Sequence, residues 1–518
     1  MTINTMTNTQ NNKRIVKNTL LLYFRMLFTM LVSLYTSRIV LNALGINDFG
    51  IYNVVGGLII MLTFINNAMA TATQRFLTFE LGKNEFDQLR KVFNISLFIH
   101  LIIAFIILFF GETCGLWFLN TQMKIPIERM DAANLVYQIS ILTCMVSILN
   151  VPYNAVVIAH EKMSVFAYIS ILEVMLKLAI VYILTIYNFD KLKLYAILIF
   201  FVQITCMFVY MLYSKKNFAE TKLSLILDMP LLRRMSTFAS WNLLGNLSNL
   251  AYTQGLNILL NVFFGPVVNA ARGVAVQVQS AIVGFYVNFQ TAVNPQITKY
   301  YAKDDIDNMH LLLKRTSKFS FFLLFFISLP ILIETKQILI WWLKVVPDFS
   351  IIFLRLIMIT SMIDSITTPF VTAIQATGKI QKYQMIIGNI FLSIVPLSYM
   401  ALKLGATPEY VFIIHLVIAS IAAIIRLFIV CPLIFLSIKN YLKDVISRIL
   451  LVVILSIIFP ITLYLNLSQN ILNFFVICFS CVISVVMFVY FLGLTLPERA
   501  FVKSNTCAFI SRIKNYNI

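Results

Sequence analysis

Apolar residues run through this chain in blocks of about twenty or more, and short polar connections separate them from residue 16 to residue 494. A helix rises about 1.5 Å per residue, so about 20 apolar residues cross the roughly 30 Å of hydrocarbon in a bilayer. Fourteen helices are predicted: 16–44, 49–81, 92–118, 132–158, 164–187, 193–213, 236–263, 270–298, 317–333, 349–375, 384–402, 409–437, 447–466 and 471–494. The connections alternate between very short and longer basic ones, and no soluble domain interrupts the series. The expected fold class is an all-α integral membrane protein with about 14 transmembrane helices.

Composition agrees. Of 518 residues, 60% are apolar and 12% charged, with a mean hydropathy of +0.89. A soluble protein of this length would need far more charge to cover its surface. The formal net charge of +19 would suit nucleic acid, but membrane topology accounts for it. With the N-terminus in the cytoplasm, the inner segments collect about 26 Lys and Arg, among them Lys13, Arg14, Lys17, Lys215, Lys216, Arg233 and Arg234, and the outer loops about seven. This is the positive-inside asymmetry, so both termini are expected in the cytoplasm and no nucleic-acid partner is expected. Met1 to Asn12 is polar, and the apolar block behind it is too long for a signal peptide and lacks a small-residue cleavage site; a retained first span is expected. The seven cysteines form no paired loop framework. Cys478-x-x-Cys481 lies mid-span among Phe, Val and Ile, where packing explains it.

Residues also recur at separations of 217 to 220. Leu41-Asn42 returns as Leu260-Asn261, and Gly82-Lys83-Asn84-Glu85-Phe86-Asp87 as Ala302-Lys303-Asp304-Asp305-Ile306-Asp307. Pro152-Tyr153 returns as Pro369-Phe370, and Ala159 and Lys162 as Ala376 and Lys379. The shared order and near-constant offset carry the argument, since each match alone is weak. Six helices separate the copies. An even number means the same orientation in the membrane, so the repeat is parallel, a transporter architecture. The expected organisation is an N-lobe over 1–218 (helices 1–6), a C-lobe over 219–440 (helices 7–12), and a final pair with a basic cytoplasmic tail over 441–518.

Seven basic residues remain inside the predicted spans: Arg25, Arg38, Arg75, Lys177, Arg272, Arg355 and Arg426. Arg75 can mark the inner end of helix 2, and Arg38 and Arg355 can reach outward to the interface. The other four carry an insertion cost of about 2.5–3.5 kcal/mol each, so they need a partner or a wet cavity. Helical spacing groups the polar residues into stripes. Asn242, Asn246, Asn249, Thr253 and Asn257 share a face of helix 7. Arg272, Gln279, Tyr286, Gln290 and Asn294 share a face of helix 8, Arg25, Thr29, Ser33 and Thr36 one of helix 1, and Asn53, Asn67, Thr71 and Gln74 one of helix 2. Amides also glue helices together, so any single Asn has an ordinary packing reading. Four stripes on equivalent helices of two lobes are expected to line a shared water-filled cavity. Its hydroxyls and amides suit sugars, and Arg25 and Arg272 suit a phosphate or diphosphate.

Glu173 and Lys177 lie four apart in helix 5, as an intrahelical ion pair or an ion-coupling site. Asp364 stands among Ser361, Ser365, Thr367 and Thr368. It can bind a cation, exchange a proton, or pair with Arg426. His100, Glu112 and His415 are weaker candidates, more often packed or boundary residues. No phosphate-binding loop, dinucleotide fingerprint or metal-ligand cluster occurs in the sequence. No catalytic residue, metal or cofactor is therefore expected, and the chain is not expected to be an enzyme.

Fourteen helices in two lobes plus a pair, without a nucleotide site, resemble the multidrug/oligosaccharidyl-lipid/polysaccharide (MOP) exporter superfamily. The stretch Arg38-Ile-Val-Leu-Asn-Ala-Leu-Gly45 followed by Asp48-Phe-Gly-Ile-Tyr-Asn53 is similar to the outer hairpin of the polysaccharide and O-antigen flippases (Wzx-like). The resemblance covers essentially the whole chain through loose motifs. It implies two lobes around a cavity that opens alternately to either side. It also implies a substrate: an oligosaccharide on an undecaprenyl diphosphate carrier, moved across a bacterial cytoplasmic membrane. Arg25 and Arg272 would then hold the diphosphate. The dense arginine cluster of lipid II flippases is missing from the first helices, which argues against a peptidoglycan precursor. The implied partners are the lipid-linked oligosaccharide, the bilayer, and a polysaccharide polymerase with its export machinery. The alternative is an ion-coupled multidrug exporter of the same superfamily.

Overall fold

The computed structural model describes residues 2–60, 63–121, 123, 125–186, 190–224, 228–343, 346–468, 470–500 and 503; the side chains of 2–13, 34, 37, 38, 41, 46, 47, 53, 54, 56–60 and 63–65 fall outside that description. Among the described residues the fold is helical throughout, without strands. Fourteen long helices follow one another: α1 Thr2–Ile60, α2 Thr63–Lys83, α3 Phe86–Thr121, α4 Ile127–Ala159, α5 Met163–Ile186, α6 Lys191–Asn217, α7 Met229–Phe264, α8 Pro266–Ala302, α9 Ile306–Ile333, α10 Ser350–Thr377, α11 Gln381–Lys403, α12 Glu409–Leu433, α13 Ile438–Asn466 and α14 Ile471–Gly493. A short helix, Thr335–Leu343, joins α9 to α10.

Two boundaries differ from expectation. Helix extends back to Thr2 through the polar N-terminal stretch. The break between the first two predicted spans is a single residue, Gly45, at φ 78 and ψ 167. Only glycine adopts that backbone conformation without a Cβ clash, so the chain turns there within one residue and needs no loop.

Among the described residues, eleven helices are long and apolar enough to cross a membrane by length and composition alone. α7 and α8 are not among these eleven, although they have 36 and 37 residues. Length is not what they lack. They carry two of the four polar stripes, and the amides along those faces lower hydropathy. Large apolar side chains stand outward on the rest: Phe109 is 64% exposed, Phe428 63% and Phe479 67%. Such a surface is tolerated only against lipid. The chain is thus a multi-pass α-helical membrane protein.

The backbone repeats as the sequence does. Gly45 and Gly265 both have φ 78; Asn84 has φ 60 and Asp304 φ 59; Glu161 has φ 58 and Gly378 φ 75. These pairs are separated by 220, 220 and 217 residues. Left-handed residues are uncommon, so their recurrence at the repeat offset marks equivalent turns. Pro152 and Pro369 lie inside α4 and α10 at the same separation.

Contacts divide the chain into two compact units. One comprises Met1–Leu250, Thr291–Met309 and Thr372–Gly388. Within it α2 meets the end of α8 at Gly82, where a Cβ would stand 2.7 Å from the Ala302 side chain and 3.1 Å from the Lys299 backbone. Gly82 and Ala302 are repeat equivalents. In the same unit a Cβ at Gly388 would stand 2.9 Å from Ser248 Oγ, so α7 and α11 approach through small residues. The other unit comprises Ala251–Gln290, His310–Val371 and Asn389–Ile518. Here α9 is the inner helix, with 61% of its span window buried against 28% for α14.

Gly82→Leu should destabilise the protein by about 1–3 kcal/mol through overpacking. A thermal scan of the purified protein checks this, and an unchanged Tm would contradict the close approach.

Candidate functional site

The intramembrane polar residues collect into one cluster in each unit. In the first, Arg25 of α1 leans on α5. Its NH1 donates to Ser170 Oγ at 3.5 Å, and its guanidinium lies 4.5 Å from the centroid of the Phe166 ring. Phe166, Ser170, Glu173 and Lys177 follow one face of α5 at intervals of four, three and four. Lys177 Nζ donates to Glu173 Oε1 at 2.6 Å, so those two charges cancel. Glu173 and Tyr210 also lie within electrostatic reach of Arg25. With two cations, Arg25 and Lys177, to one acid, Glu173, this cluster carries one net positive charge.

In the second unit, Arg272 of α8 reaches α7. Its NH1 donates to Asn257 Oδ1 at 3.1 Å and its NH2 to the Thr253 carbonyl at 3.0 Å. The predicted stripes of helices 7 and 8 therefore meet here. Gln279 Nε2 donates to Ser361 Oγ at 2.6 Å, and the buried Gln290 donates to Ser320 Oγ at 2.9 Å. Arg426 NH1 donates to Thr367 Oγ1 at 2.8 Å and lies 3.8 Å from Asp364 Oδ1. The Arg426 side chain is 11% exposed and that of Asp364 35%. Tyr252 stacks on Phe391 at 5.4 Å and lies 5.2 Å from His415. Arg426 sits 5.7 Å from the Phe391 centroid. Asp364 and Arg426 balance, and Arg272 is left in excess.

Other predicted site residues fall elsewhere. Asn242 is buried in the first unit and accepts from Gln384 Nε2 at 3.1 Å, a helix-to-helix bond between α7 and α11. Asn246 is half-buried, and Asn249 and Asn67 are exposed. The Asn53 and Arg38 side chains lie outside the described residues. Arg355 caps the end of α9, its Nε 3.0 Å from the Leu332 carbonyl. His100 is packed, its Nδ1 2.7 Å from the Ser96 carbonyl.

Sequence reasoning missed three features. Tyr252 and Phe391 are invisible to a search for polar stripes. Asp48 and Tyr52 counted only as motif letters, yet Asp48 pairs with Arg129, which also donates to Asp190 at 2.9 Å, and Tyr52 packs edge-on against Tyr195 at 4.8 Å. The hairpin motif is thus an anchor onto α4 and α6. The third lies at the helix ends that the positive-inside rule assigns to the cytoplasm. In the α4–α5 turn, Glu161 is 4% exposed in its side chain and accepts from Lys299 at 2.6 Å, with Arg14 at 3.4 Å and Gln296 at 3.1 Å. Arg75 donates to the Gln375 and Ala376 carbonyls at 3.0 and 2.8 Å. The turns receiving these contacts, around Glu161 and Gly378, are repeat equivalents. Both contacts tie segments of one repeat to the other within the first unit.

Burial opposes ionisation of Glu161, but Lys299, Arg14 and Gln296 outweigh it and hold the carboxyl below its ordinary range.

No family model and no curated protein sequence matches the chain. Solved structures do. An outward-facing multidrug resistance MATE family transporter of the MOP superfamily gives a TM-score of 0.69 at 15% identity, over 82% of this chain and 96% of that one. A MATE in the bent conformation gives 0.69 at 14% identity, over 84% and 96%. A MOP superfamily transporter from Pyrococcus furiosus, with a binding pocket of reverse polarity, gives 0.66 at 14% identity, over 81% and 95%. At these identities the likeness is one of fold: the chain folds as MATE transporters of the MOP superfamily do.

Glu161→Gln should cost about 2 kcal/mol, less than a fully buried pair because Lys299 and Arg14 are partly hydrated. Since the folded carboxyl titrates below its unfolded value, this contribution is present above about pH 4.3 and is lost as the pH falls through the folded value. Thermal scans of wild type and variant at neutral and acid pH check both: the gap in Tm should close in acid.

Proposed function

We propose that this protein is a flippase, moving a polyprenyl-diphosphate-linked oligosaccharide, the repeat unit of a surface polysaccharide or O-antigen, across a bacterial cytoplasmic membrane by alternating access. The charge balance of the two clusters carries the reading. Each described intramembrane acid in them has a cation beside it, Glu173 with Lys177 at 2.6 Å and Asp364 with Arg426 at 3.8 Å. Counted by formal charge, Arg25 and Arg272 give each cluster one more cation than acid. A lining with excess positive charge attracts an anionic head group and repels organic cations. Arg272 is held only by neutral oxygens, so its planar fork keeps further N–H donors for a phosphate.

In this mechanism the amides and hydroxyls of α7, α8 and α10 replace water around the sugars while the polyprenyl tail stays in lipid. Arg25 and Arg272 neutralise the diphosphate during passage. The Glu161 and Arg75 contacts hold the cytoplasmic ends closed in one state and break when the carrier opens to the cytoplasm to load. Both termini would be cytoplasmic, and a polymerase and export machinery would take the product.

One observation favours a second reading. Asp364 retains 35% exposure, which a cation-coupled multidrug exporter would use, and solved structures of this fold include a multidrug resistance transporter.

The test is complementation of a deletion strain. Arg25→Ala and Arg272→Ala, with normal insertion, should each reduce surface polysaccharide about tenfold or more, the loss expected when a charged hydrogen-bond partner is removed. Unchanged export in both would remove the arginines from the site. Drug sensitivity restored only by protein with an intact Asp364, alongside unaffected polysaccharide, would replace the flippase by the exporter.

A further inference from the structure

The junction after α9 holds a group that neither charge cluster uses. Glu334 follows the last residue of α9 and precedes Thr335–Leu343, its carbonyl accepting from the Ile338 N–H at 3.1 Å. The residue is 7% exposed. Among the described residues, no hydrogen bond or ion pair reaches its carboxyl. Among the described bases nearby, Arg355 is engaged by the carbonyls of Leu332 and Ile333 and by Thr335 Oγ1 at 3.3 Å, and Lys336 is exposed. A buried carboxylate without a counter-charge is costly, and burial pushes the Glu334 carboxyl above its usual range.

The side chain lines a cavity of about 10 Å³, room for about one water-sized sphere. Gln337, Tyr464, Ser468, Asn470 and Asn473 complete its polar wall. Asn470 Oδ1 caps α14 by accepting from the Asn473 N–H at 2.8 Å, and Asn473 Nδ2 donates to the Ser468 carbonyl at 2.8 Å. The Ser468 carbonyl also accepts from the Asn470 N–H at 3.1 Å, whereas Asn470 Oδ1 keeps a second lone pair. Ser468 and Asn470 are exposed, so the cavity opens at the helix ends that the positive-inside rule assigns to the outside.

We propose that this cavity binds one small monovalent cation, with Na⁺ as the simplest occupant. Three properties select that class. The polar wall presents hard oxygen ligands, without Cys or His, which disfavours soft metals. A single carboxylate is balanced by one positive charge, and a divalent ion would leave an excess beside a buried carboxylate. The volume admits one sphere, whereas Mg²⁺ keeps several of its waters. A bound ion would cross-link the end of α9 to the α13–α14 hairpin. The site is independent of the transport reading, and its test does not require transport.

The purified full-length protein would be scanned thermally in Na⁺ against choline at equal ionic strength. Wild type should gain about 2 °C or more in Tm as Na⁺ rises. Glu334→Gln should show no Na⁺ response. Gln337→Leu, which keeps the carboxylate, should bind Na⁺ about tenfold more weakly by ²³Na relaxation, a loss of one oxygen ligand; this measurement stands if Glu334→Gln fails to fold. A wild-type Tm indifferent to Na⁺, an undiminished response in Glu334→Gln, unaltered affinity in Gln337→Leu, or a stronger response to Mg²⁺ would each overturn the assignment.

Discussion

Hydrocarbon offers no hydrogen bonds, and every polar group carried into it must find a partner on another helix or reach water. This constraint organises the protein. Arg25 turns to Ser170 and a phenyl face, Arg272 to Asn257 and a carbonyl, Arg426 to Thr367 and Asp364, Arg355 to the carbonyls ending α9. Each contact joins helices that dispersion alone would hold more loosely. The same contacts leave some of these cations without an acid beside them, Arg272 among them.

Charge partnership separates structure from function in this fold. A paired ion, such as Glu173 with Lys177, stabilises a helix and presents little net field. An arginine held by neutral oxygens keeps its full charge while its position is fixed. Arg272 is of this second kind, and under the proposed function it would anchor the anionic head group. Glu161 is the opposite case, a carboxylate with cations and an amide around it. Such a contact holds the ends of helices from both repeats together, yet an ion pair whose cations are partly hydrated can be exchanged for water at modest cost. The alternating carrier proposed above would need contacts of that strength.

Much of this was legible from residue order. Period 3.6 placed Thr253 and Asn257 on one face of α7 and Arg272 and Gln279 on one face of α8, and the two faces meet. The repeat showed as Gly82 against Ala302 in sequence, and those residues pack against each other in space. Other parts were not legible. Glu161 sits in a turn with φ 58, outside any helical stripe, and its partners lie 138 and 147 residues away. Tyr252 and Phe391 look like ordinary lipid-facing aromatics until α7 and α11 are set side by side. Glu334 reads as a loop acid and becomes notable only because the α13–α14 connection covers it.

Hydropathy is a local property, so the sequence alone determined the membrane, the helices, their parallel repeat and the faces on which polar groups stand. Partnership is not local. Which arginine is neutralised, which amide bonds a neighbouring helix as Asn242 does, and which carboxyl is left alone as Glu334 is, all depend on which helices, some of them 142 residues apart in sequence, come within hydrogen-bond or ion-pair reach. Only the tertiary structure decides that, because a charge in a low-dielectric interior is defined by what lies beside it.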